Sequence, residues 1–115
     1  MIKKLIVIGL MMLGTLSFAD GKYEIQEERL EKTLTQEFKH SKGEFDVDIY
    51  DSMANIKLEI NQFSYDKNMD VKSMEDSIKA IVKRDYPEIK DLNFTVEVDK
   101  TVGEDEVVYT NTVAI

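Results

Sequence analysis

The sequence lacks cysteine and tryptophan, and it has one proline and one histidine in 115 residues. Without cysteine the chain forms no disulfide, no thiolate metal site and no thiol nucleophile, so burial of apolar surface has to stabilise the fold. The lone histidine, His40, ends a helix-like stretch, where it is suited to favour the helix dipole. No nucleophile-elbow motif accompanies the scattered serines. We therefore expect a protein that is not an enzyme and that holds no cofactor.

Long apolar runs are also scarce, and the clearest one lies at the start of the chain. Lys3 and Lys4 precede the apolar residues 5–16, and Ser17-Phe18-Ala19 has the small-x-small pattern of a cleavage site. A membrane-spanning helix needs about 20 apolar residues, so this run is too short. We predict a secretory signal peptide over residues 1–19, and an exported, soluble domain over residues 20–115 without a membrane span. The sequence does not distinguish the periplasm from the extracellular space.

Positive charge is in short supply. The chain has 15 basic and 23 acidic residues, a net charge of −8. Removing Lys3 and Lys4 with the signal leaves 15 − 2 = 13 basic residues and a net charge of −10. This surface would repel nucleic acid and anionic lipid, which disfavours both as partners. Basic proteins, polycations and divalent cations remain compatible with it, as does plain solubility.

Alternation of apolar and polar residues predicts strands. In residues 45–60, Phe45, Val47 and Ile49 alternate with polar residues, a break follows at 51–55, and alternation resumes from Ile56. This pattern indicates a hairpin with one buried and one wet face. Residues 92–99 predict a third strand and residues 106–115 a fourth. In the fourth, Val107, Tyr109, Val113 and Ile115 share one face and Val108 lies on the other.

Two amphipathic helices are predicted, at about residues 25–40 and 71–85. Leu30, Leu34 and Phe38 form a narrow apolar stripe on the first. Gly43 is expected to provide its left-handed C-terminal cap. Asp70 or Ser73 can cap the second helix, which Pro87 prevents from continuing.

The element order αββαββ indicates one α+β domain, a two-layer sandwich with a four-stranded, mostly antiparallel sheet and two helices on one face. Leu30, Leu34 and Phe38 align with Met74, Ile78 and Val82 at an offset of 44, which is consistent with duplication of an αββ unit and equally with coincidence.

Carboxylates and aromatic residues supply the candidate sites. Asp46 and Asp48 project from one side of a strand, and Glu59 and Glu97 are placed to share that face, where solvation disfavours acid–base catalysis. If the second strand runs straight, Phe63 and Tyr65 join Tyr50 there and form a partner-binding face. A bulge at Asn61-Gln62 would instead return Phe63 to the core. The candidate face comprises Tyr50, Phe63, Tyr65, Asp46, Asp48 and Glu59.

Asp66-x-Asn68-x-Asp70 has the 1-3-5 oxygen spacing of a calcium loop. Val71 stands where that loop needs glycine and Ser77 where it needs a bidentate glutamate. Turn and cap residues are the other interpretation. A calcium-dependent structural protein is therefore kept only as an alternative function.

Residues 80–98, AIVKRDYPEI followed by FTVEV after four residues, resemble the helix–Tyr–Pro–strand pattern of exported PepSY-type modules. The resemblance covers only the second half of the chain. It implies αββ units with inhibitory or accessory binding roles in the cell envelope. The sequence thus predicts a non-catalytic binding module for another envelope or extracellular protein. A homodimer through an edge strand is possible but not indicated.

Overall fold

The computed structural model describes residues 23–115, so the predicted signal peptide and its cleavage site lie outside the described residues. The predicted αββαββ order and the α+β class are confirmed. Neither helix in the described range has the length and apolarity that a membrane crossing requires. The elements are α1 (Glu24–Glu37), a 3-10 turn (Lys39–Ser41), β1 (Glu44–Tyr50), β2 (Met53–Asn61), α2 (Val71–Asp85), β3 (Asp91–Asp99) and β4 (Glu106–Ala114).

The four strands form one sheet in the order β1-β2-β3-β4. The β1–β2 and β3–β4 pairs are antiparallel hairpins, and the central β2–β3 pair is parallel. A parallel neighbour cannot be reached by a tight turn, so the chain crosses back through α2. The sheet is therefore mixed but mostly antiparallel, with β1 and β4 at its two edges.

One face of the sheet is buried beneath the helices. Phe45, Val47 and Ile49 of β1 are buried, as the alternation predicts. The same alternation runs through β2 and β3, and Ile56 and Phe94 are register partners at the centre of the core. The opposite side, called the open face below, carries four cross-strand rows. In order from β1 to β4 these are Glu44–Glu59–Glu97–Val107, Asp46–Lys57–Thr95–Thr110, Asp48–Asn55–Asn93–Thr112 and Tyr50–Met53–Asp91–Ala114.

The β1–β2 connection is tighter than the sequence indicates. Only Asp51 and Ser52 separate the paired residues Tyr50 and Met53. Asp51 adopts a φ of 54°, which aspartate tolerates better than most side chains. Ala54 is buried, so the strand pattern already applies within the predicted break.

A bulge changes the orientation of β4. Val96 pairs with Tyr109, but the next residue of β3, Glu97, pairs with Val107, which leaves Val108 as the extra residue. The bulge turns Val107 to the open face, where it is 53% exposed, while Tyr109 packs against the core. The prediction that Val107 shares a face with Tyr109 is therefore wrong, because strict alternation fails at a bulge.

The end of α1 also differs from its prediction. The helix ends at Glu37, and the left-handed residue is Lys42, with a φ of 58°, instead of Gly43. Gly43 is required for a different reason. A Cβ there would lie 2.5 Å from Leu58 Cδ1 and 2.9 Å from the Glu59 carbonyl oxygen. Glycine thus lets the chain enter β1 directly against β2.

The Gly43→Ala variant is expected to lose about 1–3 kcal/mol of stability, because the added methyl group overpacks this contact and the Glu59 carbonyl belongs to a paired strand. Urea denaturation measures the loss. Gly103→Ala is a useful comparison, since its Cβ would meet nothing within 4 Å and only the φ of 93° opposes it. A loss of less than about 0.5 kcal/mol in Gly43→Ala would contradict the packing role of Gly43.

The two αββ halves have opposite handedness. The comparison is made from the helix side, with each hairpin turned so that its first strand points up. β2 then lies on one side of β1, and β4 lies on the opposite side of β3, because the strand order is β1-β2-β3-β4 and β2 runs parallel to β3. Both hairpins bury the same face, so the halves do not superpose as rigid units. The matching apolar spacing reflects common helix and strand periods and not a duplicated αββ structure.

Candidate functional site

The three aromatic residues of the predicted binding face are not brought together. Tyr50 ends β1 and is 72% exposed, whereas Phe63 follows the far end of β2 and is 79% exposed. The nine residues of β2 separate them by roughly 25–30 Å. Tyr65 is half-buried and packs against the core.

Asn61 accounts for this arrangement. β2 ends there, and its side-chain Oδ1 accepts a hydrogen bond from the Phe63 N–H at 2.8 Å. Its carbonyl accepts from the N–H groups of Ser64 and Tyr65. The chain therefore turns instead of continuing straight or bulging within the strand. The turn directs Phe63 into solvent and Tyr65 towards the core.

Tyr50→Ser and Tyr65→Ser are accordingly expected to differ. Tyr50→Ser should change the melting temperature little, since this side chain is mostly in water. Tyr65→Ser should lower it by several degrees, because it removes an aromatic ring that packs on the core. Thermal unfolding followed by circular dichroism separates the two. A large loss for Tyr50→Ser would mean that its ring supports the fold.

The acidic residues of the predicted face lie on the open face, around one lysine. Asp46 and Asp48 are exposed on β1, and Lys57 is the register partner of Asp46. The Lys57 Nζ lies 3.3 Å from Glu59 Oε1. The hydrogen bond with Glu59, together with the charges of Glu59, Glu97 and Asp46, raises the pKa of Lys57 against a smaller opposing effect of burial.

Three carboxylates meet where β2 and β3 end. Oxygen atoms of Glu59, Glu97 and Asp99 lie within 4.8 Å of one another, and all three residues are half-exposed. Partial burial, followed by repulsion from Asp105 and Glu59, raises the pKa of Asp99. Sequence reasoning placed Glu59 and Glu97 on one face but missed Asp99 as their neighbour. Asp99 comes near Glu59 only because β3 pairs in parallel with β2, which places Glu97 opposite Glu59 and Asp99 opposite Asn61.

The middle of β3 and the facing part of β4 carry uncharged side chains on the open face, and Asp91 is an acidic residue at the start of β3. The Thr95 and Thr110 hydroxyls share a hydrogen bond at 2.9 Å, and the Asn93 Nδ2 donates to Thr112 Oγ1 at 2.8 Å. Thr95 also donates to Asn93 Oδ1 at 3.1 Å. The open face thus changes from acidic on β1 and the ends of β2 and β3 to uncharged amides and hydroxyls on β3 and β4.

The candidate calcium loop has local uses for its oxygens. Asp66 Oδ1 accepts the Asn68 N–H, and Asp70 Oδ1 accepts the Ser73 N–H, each at 2.9 Å. The first bond closes a turn and the second caps α2, as predicted for Asp70. Both functions account for acidic residues at these positions.

Catalytic candidates are dispersed. His40 is exposed in the 3-10 turn after α1. A groove of about 770 Å³ runs between α1 and the edge of β1, and Glu28, Lys32, Gln36 and Phe45 are among its lining residues. Within residues 23–115, His40 is not among the residues that line this groove. Among the open-face carboxylates of the described residues, Glu44 lines the groove, whereas Asp46, Asp48, Glu59, Glu97 and Asp99 do not.

The edge of β1 is covered by carboxylates of α1, an arrangement that sequence reasoning missed. Glu31 Oε2 accepts the Val47 N–H at 3.0 Å, and Glu27 Oε2 accepts the Ile49 N–H at 2.7 Å. Glu27 is only 6% exposed. The available signal was spacing. Glu27 and Glu31 precede the buried Leu30 and Leu34 by three residues each, so they lie on the same side of α1 as these leucines.

A second buried glutamate joins α2 to β4. Glu75 is 1% exposed and accepts hydrogen bonds from the Tyr109 hydroxyl at 2.8 Å, from Asn111 Nδ2 at 3.1 and 3.2 Å, and from Lys72 Nζ at 2.8 Å. Burial by itself would raise the pKa of Glu75, but the hydrogen bonds from Lys72, Tyr109 and Asn111 outweigh it and lower the pKa. These contacts fix the position of α2 over β4.

Comparison with known proteins adds no relative: no protein-family model, curated protein or solved structure matches the chain.

Proposed function

We propose that the chain is an exported, non-catalytic binding module that contacts a basic surface of another envelope or extracellular protein through the open face. The observation that carries this proposal is the acidic half of an uncovered sheet face. Among residues 23–115 no helix or loop packs over it, and Asp46, Asp48, Glu59, Glu97 and Asp99 are gathered there around Lys57.

Electrostatics determines the chemistry of the partner. Like charges concentrated on one surface create a potential that speeds association with an oppositely charged surface and repels an acidic one. The raised pKa of Asp99 reflects in part its repulsion from neighbouring carboxylates. Lysine or arginine side chains of a partner would relieve this repulsion. Tyr50, exposed at the end of the same face, offers an aromatic anchor of the type enriched in interfaces.

Site-specific photo-crosslinking tests the proposal in the native envelope. A crosslinking residue at Asp48 samples the open face, and one at Lys83 samples the exposed side of α2. We expect position 48 to trap a partner whose crosslinked peptides are basic, and position 83 not to trap it. Recovery should fall as salt is raised, since salt screens exposed charges.

Charge reversal supplies the matched control. Glu97→Lys inverts a charge within the acidic half, whereas Asp76→Lys inverts one on α2. Capture should be lost with Glu97→Lys and kept with Asp76→Lys. Equal capture from positions 48 and 83, undiminished capture by the Glu97→Lys protein, or capture insensitive to salt would overturn the proposal.

Export is a separate part of the proposal. We expect N-terminal sequencing of protein recovered from outside the cytoplasm to begin at Asp20, because cleavage is predicted after Ala19. Recovery of a chain that begins at Met1 from the cytoplasm would contradict the predicted signal peptide.

A further inference from the structure

We propose that the free edge of β4 is a self-association surface, which pairs antiparallel with β4 of a second copy around a twofold axis at Thr110. This edge is distinct from the open face, so the inference does not depend on the proposed function. Pairing would join two four-stranded sheets into one continuous sheet and would remove an exposed edge from each copy.

The outward backbone N–H groups at the two edges of the sheet differ in their hydrogen-bond acceptors. On β1, glutamates of α1 accept the outward N–H groups of Val47 and Ile49. On β4, the Ile115 N–H donates to the Lys90 carbonyl, which sets the alternation of the ladder. The backbone groups of Thr110 and Thr112 therefore point away from β3. No side chain in the described part of the chain accepts a hydrogen bond from these two N–H groups.

Apart from the bulge at Val108, β4 has few features that protect an edge from pairing. Its nine residues, EVVYTNTVA, contain no lysine, proline or glycine, which are residues that commonly interrupt or disfavour edge pairing. Its single charge, Glu106, lies at one end and is 3.0 Å from Lys100. The neutral part of the strand is long enough to present several backbone groups to a neighbour.

The strand is complementary to itself. Antiparallel pairing around Thr110 would place Val108 opposite Thr112 of the second copy and Tyr109 opposite Asn111. Glu106 lies beyond the bulge at Val108, at the end of the contact where the second copy presents the uncharged Ala114 and Ile115, so no like charges would meet across the axis. Such a contact uses the same patch on both copies and closes as a dimer without further growth.

Charge explains why a second copy would bind at this edge and not elsewhere. The protein has a net charge of −8, so two copies repel each other over most of their surfaces. Along the proposed contact, residues 107–115 carry no charged side chain, so this repulsion is weakest there. Hydrogen bonds from Tyr109 and Asn111 to Glu75 also hold the strand in place before it pairs.

Single-cysteine crosslinking tests the register, and the absence of native cysteine makes the assay specific. In the proposed dimer the two Thr110 residues form a hydrogen-bonded pair with Cα atoms about 5.5 Å apart, within the range of a disulfide. Thr110→Cys should therefore form a covalent dimer under mild oxidation. Residue 112 would be displaced from its symmetry mate by four residues, or roughly 13 Å, so Thr112→Cys should not.

Sedimentation velocity gives the second readout. The unmodified protein should show a monomer–dimer equilibrium that shifts with concentration. Thr110→Pro should abolish the dimer and leave the monomer folded, because its missing N–H is the outward one. A protein that stays monomeric at every concentration, or equal crosslinking of Thr110→Cys and Thr112→Cys, would overturn the proposal.

Discussion

Replacing Glu27 with alanine is expected to lower the free energy of unfolding by about 2–3 kcal/mol. The carboxylate is buried and accepts the Ile49 N–H of the edge strand at 2.7 Å. Hydrogen bonds to charged groups contribute about 1.5–3 kcal/mol, and the variant leaves a backbone donor in a buried position without its acceptor. Urea denaturation at neutral pH measures the loss.

Two further variants show whether that loss comes from the edge of β1. Glu27→Gln keeps an oxygen that can accept the Ile49 N–H, so its loss should be closer to 1 kcal/mol. Glu28→Ala removes the same charge from the next residue of α1, which is half-exposed, and should change stability by less than about 0.5 kcal/mol. If Glu28→Ala is as destabilising as Glu27→Ala, the effect is one of helix charge and not of edge capping.

Capping of β1 also ties α1 to the edge of the sheet. The Glu27 and Glu31 carboxylates span the gap between the helix and the strand, and they accept the Ile49 and Val47 N–H groups at 2.7 and 3.0 Å. We therefore expect amide hydrogen exchange at Ile49 to be faster in Glu27→Ala than in the unmodified protein, beyond the effect of lower global stability.

The strands and α2 were predictable because each buries one repeating set of side chains. Burial follows a period of two in β1, β2 and β3, and a single sequence displays that period directly. β4 followed it only in part, since the bulge at Val108 depends on how β4 pairs with β3. Pairing is a property of two strands, and alternation within one strand does not reveal it.

The partner-binding hypothesis depended on a local choice that sequence alone left open. Residues 61–65 fit a straight strand or a bulge about equally well by alternation, but hydrogen bonds to Asn61 form a turn that neither alternative anticipated. That turn separates Phe63 and Tyr65 from Tyr50. Asp46, Asp48 and Glu59 remain on the open face because they belong to regular strands, where facing direction follows from position.

Acidic residues were the hardest to interpret. Most glutamates and aspartates are exposed, and an acidic first turn is expected of a helix in any case. Glu27 and Glu75 are nonetheless buried, because each has backbone or side-chain donors that its own helix does not supply. Those donors lie on β1 and β4, 22 and 34 residues away along the chain, so the helix sequences by themselves gave no reason to bury the two side chains.

The Glu75→Ala variant is expected to lose about 3 kcal/mol of stability, the upper part of the range for hydrogen bonds to a charged group. Three side chains donate to this carboxylate, and its removal leaves Tyr109 and Asn111 half-buried without their acceptor. Tyr109→Phe is the complementary variant. It keeps the ring contact with Phe94, whose centroid is 6.0 Å away, and removes only the hydroxyl. In a double-mutant cycle the two changes should cost less together than the sum of their separate losses, because they remove the same interaction.

The lowered pKa of Glu75 predicts that its charged form is the stabilising one. Its pKa is lowered in the folded protein, so the unfolded chain binds this proton more readily than the folded one. The contribution is therefore complete above the unfolded pKa of about 4.3 and is lost as the pH falls through the folded value. Glu75→Gln cannot titrate, so its stability deficit should be constant between pH 6 and 7 (roughly 1 kcal/mol) and should shrink as the pH falls below about 4.3. Urea denaturation of both proteins across this range measures the difference, and a deficit that stays constant below pH 4 would show that shape and not charge makes Glu75 stabilising.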